Sequence, residues 1–422
     1  MICILHGYLL EGSGSNLWTR SIIQSLCRNG ETVHLICLEN HPERYDFISR
    51  MYQYKKGRNT GLVYQHRSPY KGECILHKPD IGETLPVYVW DQYEEFSDVV
   101  PMVQLPDAKI EEYISRNVEV VMNVVKTYPI EVLHANHAVL MSVVARRVSQ
   151  KTSTPFAIMP HGSAIEYAVK KDERFLRLAT EAFKNAGKIF VIGPEIRQRV
   201  GEVFASLPNL DSKMLDLNLG VDTSLFEPVS PRQRIEKISE MNKLLENLPR
   251  GKTEQQTGQL WNALSDSISL KDMKRAIRIS ADYISKNPDE NVEQKLSSVR
   301  WDKNKLLLFV GRLIASKGIQ LIIAALPLIL EKQPGSKLIV VGHGPLREAM
   351  EALLWALRNG KEHLVENIIR WGKGLEGSHP GPFKGVLSFY SFLHERGEWT
   401  GYLAKAQQYL RKDSVIFTGY LT

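Results

Sequence analysis

The stretch best equipped for chemistry is GRLIASKG, residues 311–318, which follows the apolar run KLLLFV. Gly311 lets the backbone turn tightly or come close to a ligand, and Arg312 and Lys317 set two permanent cations near the start of the following helix. Cations there oppose the helix dipole, so two merely solvated side chains leave the placement unexplained. An anionic guest accounts for it. Gripping a diphosphate, the pair would neutralise the charge that develops as it departs, which is electrostatic catalysis without a covalent nucleophile.

Other segments carry weaker signals of the same kind. GHGP, residues 342–345, ends the next apolar strand and opens the next helix with proline pre-set for its first turn; Gly342 and Gly344 would then line the same strand ends as Gly311, although turn chemistry alone explains them as well. In EGSGSN, Gly12 and Gly14 form part of a dinucleotide fingerprint, with Glu39 where a ribose-binding acid would follow the second strand. The third glycine falls on Leu17, so the loop is either a tight turn or a set of amides offered to a phosphate. MPHGSAIE puts His161 at a strand end with Glu166 shortly after it. That imidazole can hydrogen-bond a polyhydroxyl substrate, share a proton, or serve as a structural donor. His134 and His137 flank a further strand end, and their spacing does not make a metal site.

These residues need a frame. Strand, glycine loop, helix and strand succeed one another in the first forty residues. IEVLHANH, PFAIMPHGS and KIFVIGPEIRQRV each pair an apolar strand with a helix. The alternation predicts a parallel, doubly wound sheet, whose ligands sit at the carboxyl ends of the strands, where the marked histidines fall. A second α/β pattern starts near Trp301 with KLLLFVGR, KLIVVGHGP and, much later, SVIFTGY. The expected domains are 1–228, a helical insertion at 229–300, and 301–422. Three strands make a thin second half, and the chain stops at Thr422 just after one of them, so a fragment of a longer protein is expected.

Composition narrows the classes. With 422 residues the chain is too long for one ordinary core, and its 43% hydrophobic share is that of a globular protein. The net charge of +7 and pI near 9.0 come from dispersed cations, which do not indicate nucleic acid and suit a phosphorylated substrate or an anionic membrane surface equally. Peripheral membrane contact through ARRVSQK would fit a lipid-linked acceptor, with solvated surface charge the plainer reading. The four cysteines, Cys3, Cys27, Cys37 and Cys74, have no C-x-x-C spacing and read as core thiols rather than disulfides or zinc ligands. MICILHGYLL lacks a basic leader and suits a first buried strand, and no run has the length of a membrane span. A cytoplasmic location is the default expectation.

Taken in order, HGYLLEGSGSN, MPHGS, NLGVDTSLFEP, FVGRLIASKG, VVGHGP and VIFTGY resemble the retaining nucleotide-sugar glycosyltransferases of the GT-B fold, most closely glycosyltransferase family 4. The resemblance implies an α/β fold of two facing Rossmann-like domains, the first holding the acceptor (a sugar, lipid or small molecule) and the second the nucleotide-sugar, with no metal or other cofactor. On it, Arg312 and Lys317 look like the diphosphate clamp, His161 the histidine near the transferred sugar, and Gly12 and Gly14 the loop over donor and acceptor. Gly220, Val221 and Asp222 look like the lead into the hinge. Glu166, His134 and His137 are placed on the acceptor or sugar side. The family's spaced glutamates beyond VIFTGY have no counterpart before Thr422, which implies weak nucleotide binding and poor or absent transfer by this chain. Two alternatives stand beside this reading: a nicotinamide-dinucleotide oxidoreductase using Gly12, Gly14 and Glu39, and a non-catalytic nucleotide-binding or scaffold protein.

Overall fold

The computed structural model describes residues 1–88, 96–223, 226–264, 269–377 and 381–421. Of the predicted lead segment 218–228, Ser224 and Leu225 lie outside the described residues, as do parts of 229–300 and Thr422. The chain divides into two compact units, Met1–Asp222 and Thr223–Thr422.

The first unit is built on a nine-stranded sheet. Its strands are β1 (Ile2–Leu5), β2 (Thr32–Ile36), β3 (Ile48–Lys55), β4 (Arg58–Gln65), β5 (Glu73–Lys78), β8 (Val132–Asn136), β9 (Phe156–Met159), β10 (Lys188–Val191) and β11 (Met214–Asp216), while β6 (Thr84–Val87) and β7 (Asp98–Pro101) pair apart. The order is β11-β10-β9-β8-β1-β2-β5-β3-β4, parallel throughout except for the hairpin of β3 with β4. Side chains alternate between two cores. Cys3 and Leu5 of β1 join one with Leu133, Val121 and Val144, and Ile4 joins the other with Val33, Leu35, Ile23 and Cys74. Burial on both faces explains the continuous apolar runs, and all four cysteines are buried free thiols. β1 lies between β2 and β8, so the chain reverses direction across the sheet at β1.

The second unit contains a parallel three-stranded sheet of β12 (Leu306–Val310), β13 (Lys337–Val341) and β14 (Val415–Gly419), in that order. Within 229–300 four helices form: Pro231–Leu245, Glu254–Leu264, Leu270–Ser280 and Val292–Ser297. The first and third start on capping boxes at Ser230 and Ser269. Leu260, Leu264, Met273 and Ala276 share a core with Leu353, Ile323 and Val340, so this segment belongs to the packing of the second unit. Residues 359–413 also fold mainly as helices, Glu362–Trp371, Lys384–Glu395 and Trp399–Tyr409.

Two loops at the carboxyl ends of β12 and β13 touch backbone to backbone. Gly311 N donates to Val341 O (3.0 Å), Leu313 N to His343 O (2.7 Å) and Leu346 N to Leu313 O (3.0 Å). A side chain at 342 would meet Gly311 O at 2.0 Å, and one at 344 would meet Leu313 O at 2.7 Å; both glycines also hold positive φ, +140° and +149°. Gly342→Ala is therefore expected to cost at least about 2 kcal/mol in clash and strain. Gly14→Ala, at a helix start with nothing within 4 Å of the added carbon, should leave stability unchanged or slightly raised. Equal midpoints for both variants in chemical denaturation would refute the interlock.

Candidate functional site

In the first unit four imidazoles gather where β1, β8 and β9 end. His6 follows β1, His134 lies within β8, His137 follows it, and His161 comes two residues after β9. His137 and His161 both hold φ in the left-handed region, 72° and 47°, a conformation that costs energy for a non-glycine residue and clusters at functional sites. Ring centroids are 4.7 Å apart for His137 and His161 and 5.9 Å for His6 and His137.

Asn136 joins three of these rings. Its Nδ2 donates to His6 Nδ1 (3.2 Å) and Thr19 Oγ1 (2.8 Å), while its Oδ1 faces His134 Nε2 (3.3 Å) and His161 Nε2 (3.4 Å). An amide oxygen only accepts, so His134 and His161 must carry their protons on Nε2. His6 is the reverse at Nδ1: it accepts there and donates from Nε2 to Leu9 O (3.1 Å) and Asn16 Oδ1 (3.0 Å). Every assignment fits a neutral ring. Burial drives the same result, holding His6 and His134 at about 4 and His161 at about 3, and His137 well below its ordinary value.

His161 is thus left with Nδ1 as a lone-pair acceptor, and it stays uncharged at neutral pH. That suits hydrogen bonding to a hydroxyl better than carrying a proton, which needs a pKa near the working pH. His137 is buried, and neither of its ring nitrogens has a hydrogen-bond partner among the described residues. Trp18 completes the group, stacked 5.8 Å from His134 and edge-on at 5.8 Å to His161.

The glycine loop leads into the same group. Ser13 caps the helix Gly14–Arg28, whose Asn16 holds His6, and nothing lies within 4 Å of a carbon added at Gly12 or Gly14. Glu39 is structural instead. Its carboxylate accepts from Leu10 N (3.1 Å), Tyr45 Oη (3.3 Å), Asn40 N (3.0 Å) and His41 N (3.0 Å). Buried and saturated, it ties the loop after β1 to the end of β2, and its oxygens are not offered to a ribose. Glu166 stands apart, paired with Lys170 (2.6 Å) and Arg199 (3.4 Å). Asp222 takes Arg28 Nη1 at 2.7 Å.

A cavity of about 640 Å³ opens at the carboxyl ends of β2, β3 and β5, lined among others by Asn40, Lys55, Lys78 and Asp80. Lys55 and Lys78 are the last residues of their strands, and Lys78 donates to Asn40 Oδ1. The lining mixes these polar groups with apolar side chains such as Leu38 and Ile81, and its amide, amines and carboxylate suit a hydroxylated or anionic molecule.

In the second unit, Gly311, Gly342 and Gly344 meet in the interlocked loops. Arg312 is half-buried, and Lys317 is exposed in the single turn Ala315–Lys317 that leads to the helix Ile319–Lys332. Glu376 approaches from the helical stretch: its Oε2 accepts from Ala315 N (3.3 Å), and burial raises its pKa against the pull of Lys373 and Arg312. Among the described residues no set of three His, Cys, Asp or Glu side chains is placed to hold a metal ion, and no helix is long and apolar enough to cross a membrane.

Sequence reasoning marked His134, His137 and His161 but missed His6, Asn136, Trp18, Lys78 and Glu376. Asn136 sat in plain view inside LHANH. Its role depends on facing Thr19, which only the pairing of β1 with β8 brings near.

Residues 291–367 match the family model described as Glycosyl transferases group 1. Over 77 residues the chain is 39% identical to an uncharacterized glycosyltransferase from Methanocaldococcus jannaschii; the match covers 18% of this chain and 19% of the relative, so about a fifth of that protein's length is spanned. Solved structures that align with all of this chain include two synthases. One is a sucrose-phosphate synthase from Thermosynechococcus elongatus, at 14% identity and TM-score 0.45 with 71% of that chain covered. The other is a UDP-forming α,α-trehalose-phosphate synthase from Burkholderia xenovorans in complex with glucose-6-phosphate, at 11% identity and TM-score 0.42 with 75% covered.

The imidazole group generates a pH prediction. The folded rings take up protons only near pH 4 or below, whereas in the unfolded chain they do so from about 6.5 downward, so the stability they confer is complete above 6.5 and lost as pH falls towards 4. For His6, fully buried, this amounts to about 2 kcal/mol at pH 5. Thermal melts of the whole protein should drop steeply between pH 7 and 5; a flat profile would mean these rings are not desolvated.

Proposed function

We propose that this protein is a glycosyltransferase that moves a sugar from a nucleotide-sugar donor to a hydroxyl acceptor with retention of anomeric configuration. The observation that carries the reading is a coincidence of position: the segment matching the glycosyltransferase family, 291–367, contains the interlocked loops with Arg312, Lys317, Gly342 and Gly344. In this reading the diphosphate of the donor lies on those loops, whose backbone geometry sets where the Arg312 side chain begins, with Lys317 on the short turn that follows.

The acceptor hydroxyl attacks the anomeric carbon on the face from which the nucleoside diphosphate leaves. The bond from that carbon to the phosphate oxygen breaks, a bond to the acceptor oxygen forms, and the hydroxyl proton passes to an oxygen of the departing diphosphate. Arg312 and Lys317 take up the negative charge that grows there, in the role a metal ion fills in other enzymes. The first unit supplies the acceptor side. The cavity beside Lys55 and Lys78 suits a polyhydroxyl or phosphorylated acceptor, and neutral His161 offers its free Nδ1 to a sugar hydroxyl.

Incubating the protein with a panel of nucleotide sugars and acceptors, and reading product configuration by NMR, tests the proposal directly. Arg312→Ala and Lys317→Ala should each reduce kcat/KM roughly 100-fold or more while leaving the fold intact. His161→Ala should lower kcat with little change in nucleotide affinity. An undiminished rate in either cation variant would reject the clamp, and an inverted product would reject the same-face attack.

A further inference from the structure

A second cavity, of about 280 Å³, lies within the second unit along the helix Arg347–Arg358, bounded by the helix Glu254–Leu264 and by β14. Its charges fall into two groups. On one side the cations are matched. Glu351 sits between Arg347 (2.6 Å) and Lys252 (2.7 Å), and Asp289 between Arg347 (2.8 Å) and Lys295 (2.6 Å). On the other side are Arg358, Arg411 and Lys412, and none of the three has a carboxylate within 4 Å among the described residues. Besides Glu351, the acids nearest in the lining or sequence are engaged elsewhere, Glu254 with Asn291 Nδ2 at 2.7 Å and Asp413 with Lys337.

Three cations in one cavity mouth repel one another unless something compensates. The indole of Trp261 does so in part, with the Arg358 guanidinium 5.2 Å and the Lys412 ammonium 5.5 Å from its centroid. Burial holds the Arg358 pKa below its ordinary value with no carboxylate to offset it. The wall facing the cations is apolar at Leu354, Trp355 and Val415, with Thr253 and Thr257 beside it. The cationic mouth lies at the far end of the helix that begins just after the Gly342–Pro345 loop: at 1.5 Å per residue, Arg358 is about 16 Å along it from Arg347.

We propose that this cavity is a second binding site, for a small phosphate monoester whose phosphate is held by Arg358, Arg411 and Lys412 and whose apolar or ring-bearing body lies against Leu354 and Trp355. The volume admits one compact molecule, and the asymmetry of cationic mouth and apolar wall calls for a ligand that is anionic at one end only.

Isothermal titration of the whole protein with three probes tests this: phenyl phosphate, inorganic phosphate and benzyl alcohol. Phenyl phosphate should bind at one site about tenfold more tightly than inorganic phosphate, with no heat from the alcohol. Arg358→Gln combined with Lys412→Gln should weaken phenyl phosphate at least about tenfold, whereas Arg312→Gln combined with Lys317→Gln should leave it unchanged. If the first double variant melts early, Lys412→Glu alone, at an exposed position, must still produce that loss. The proposal is overturned if phenyl phosphate does not bind, if binding ignores the Arg358 and Lys412 changes, or if it disappears with the Arg312 and Lys317 variant. That last pattern would assign the probe to the diphosphate loops and leave the function proposed above untouched.

Discussion

The carbonyl oxygen of Gly311 lies 2.0 Å from where any side chain at position 342 would begin, and the candidate chemistry of the second unit depends on that closeness. Loops at strand ends are ordinarily free to drift. Here the hydrogen bonds from Gly311, Leu313 and Leu346 stitch two of them into one backbone surface. Arg312 lies between two of the stitched residues, so the base of its side chain is set by the interlock and not by the flexible stem. Lys317 has no such restraint; Gly318 ends its short turn in the left-handed conformation and releases the chain into the next helix.

The first unit uses the opposite principle. It gathers imidazoles and strips them of charge, with Asn136 dictating which nitrogen of His6, His134 and His161 bears the proton. In water such rings would be titrating switches. In this setting they are fixed donors and acceptors, because desolvation puts the charged form out of reach at neutral pH. Left-handed backbone at His137 and His161 adds local strain, which the surrounding parallel strands must hold. A cluster of neutral rings has fixed donors and acceptors and is poorly suited to proton transfer at neutral pH.

Much of this was legible in the sequence, and the failures have a pattern. Apolar runs ending in glycine or histidine announced β1, β8, β9, β12 and β13 and placed the marked residues at or near their ends; in β1, β9 and β13 burial on both faces leaves no polar alternation to blur the run, whereas β12 is apolar although Leu308 and Val310 are exposed. The Gly342 to Gly311 approach was readable only as two separate turns, since nothing in either stretch encodes their distance. The alternative that made Glu39 a ribose contact fails for a related reason. Its position after β2 was read correctly, but the four donors that saturate it come from Leu10, Tyr45 and the residues just beyond it, and only folding shows that none of its capacity is left over. Asn136 and Trp18 escaped because amides and indoles are judged by neighbours rather than by spacing.

The helical segment 229–300 shows why composition alone described it poorly. Its sequence is polar with only scattered apolar spacing, yet it is tied to the second unit by a charge network: Lys252 with Glu348 and Glu351, and Asp289 with Lys295 and with Arg347. Burying five charges, Lys252, Asp289, Arg347, Glu348 and Glu351, is expensive, and apolar residues of the same volume would often be no less stabilising. What charges add is discrimination, since a register shift of one turn in the helix Arg347–Arg358 would leave Lys252 or Asp289 without its partner in a water-free site. A polar segment can therefore be locked in one place by few contacts, provided each is required by another. The cavity beside Trp261 borders this network, and its unmatched cations are conspicuous because every charge beneath them is matched.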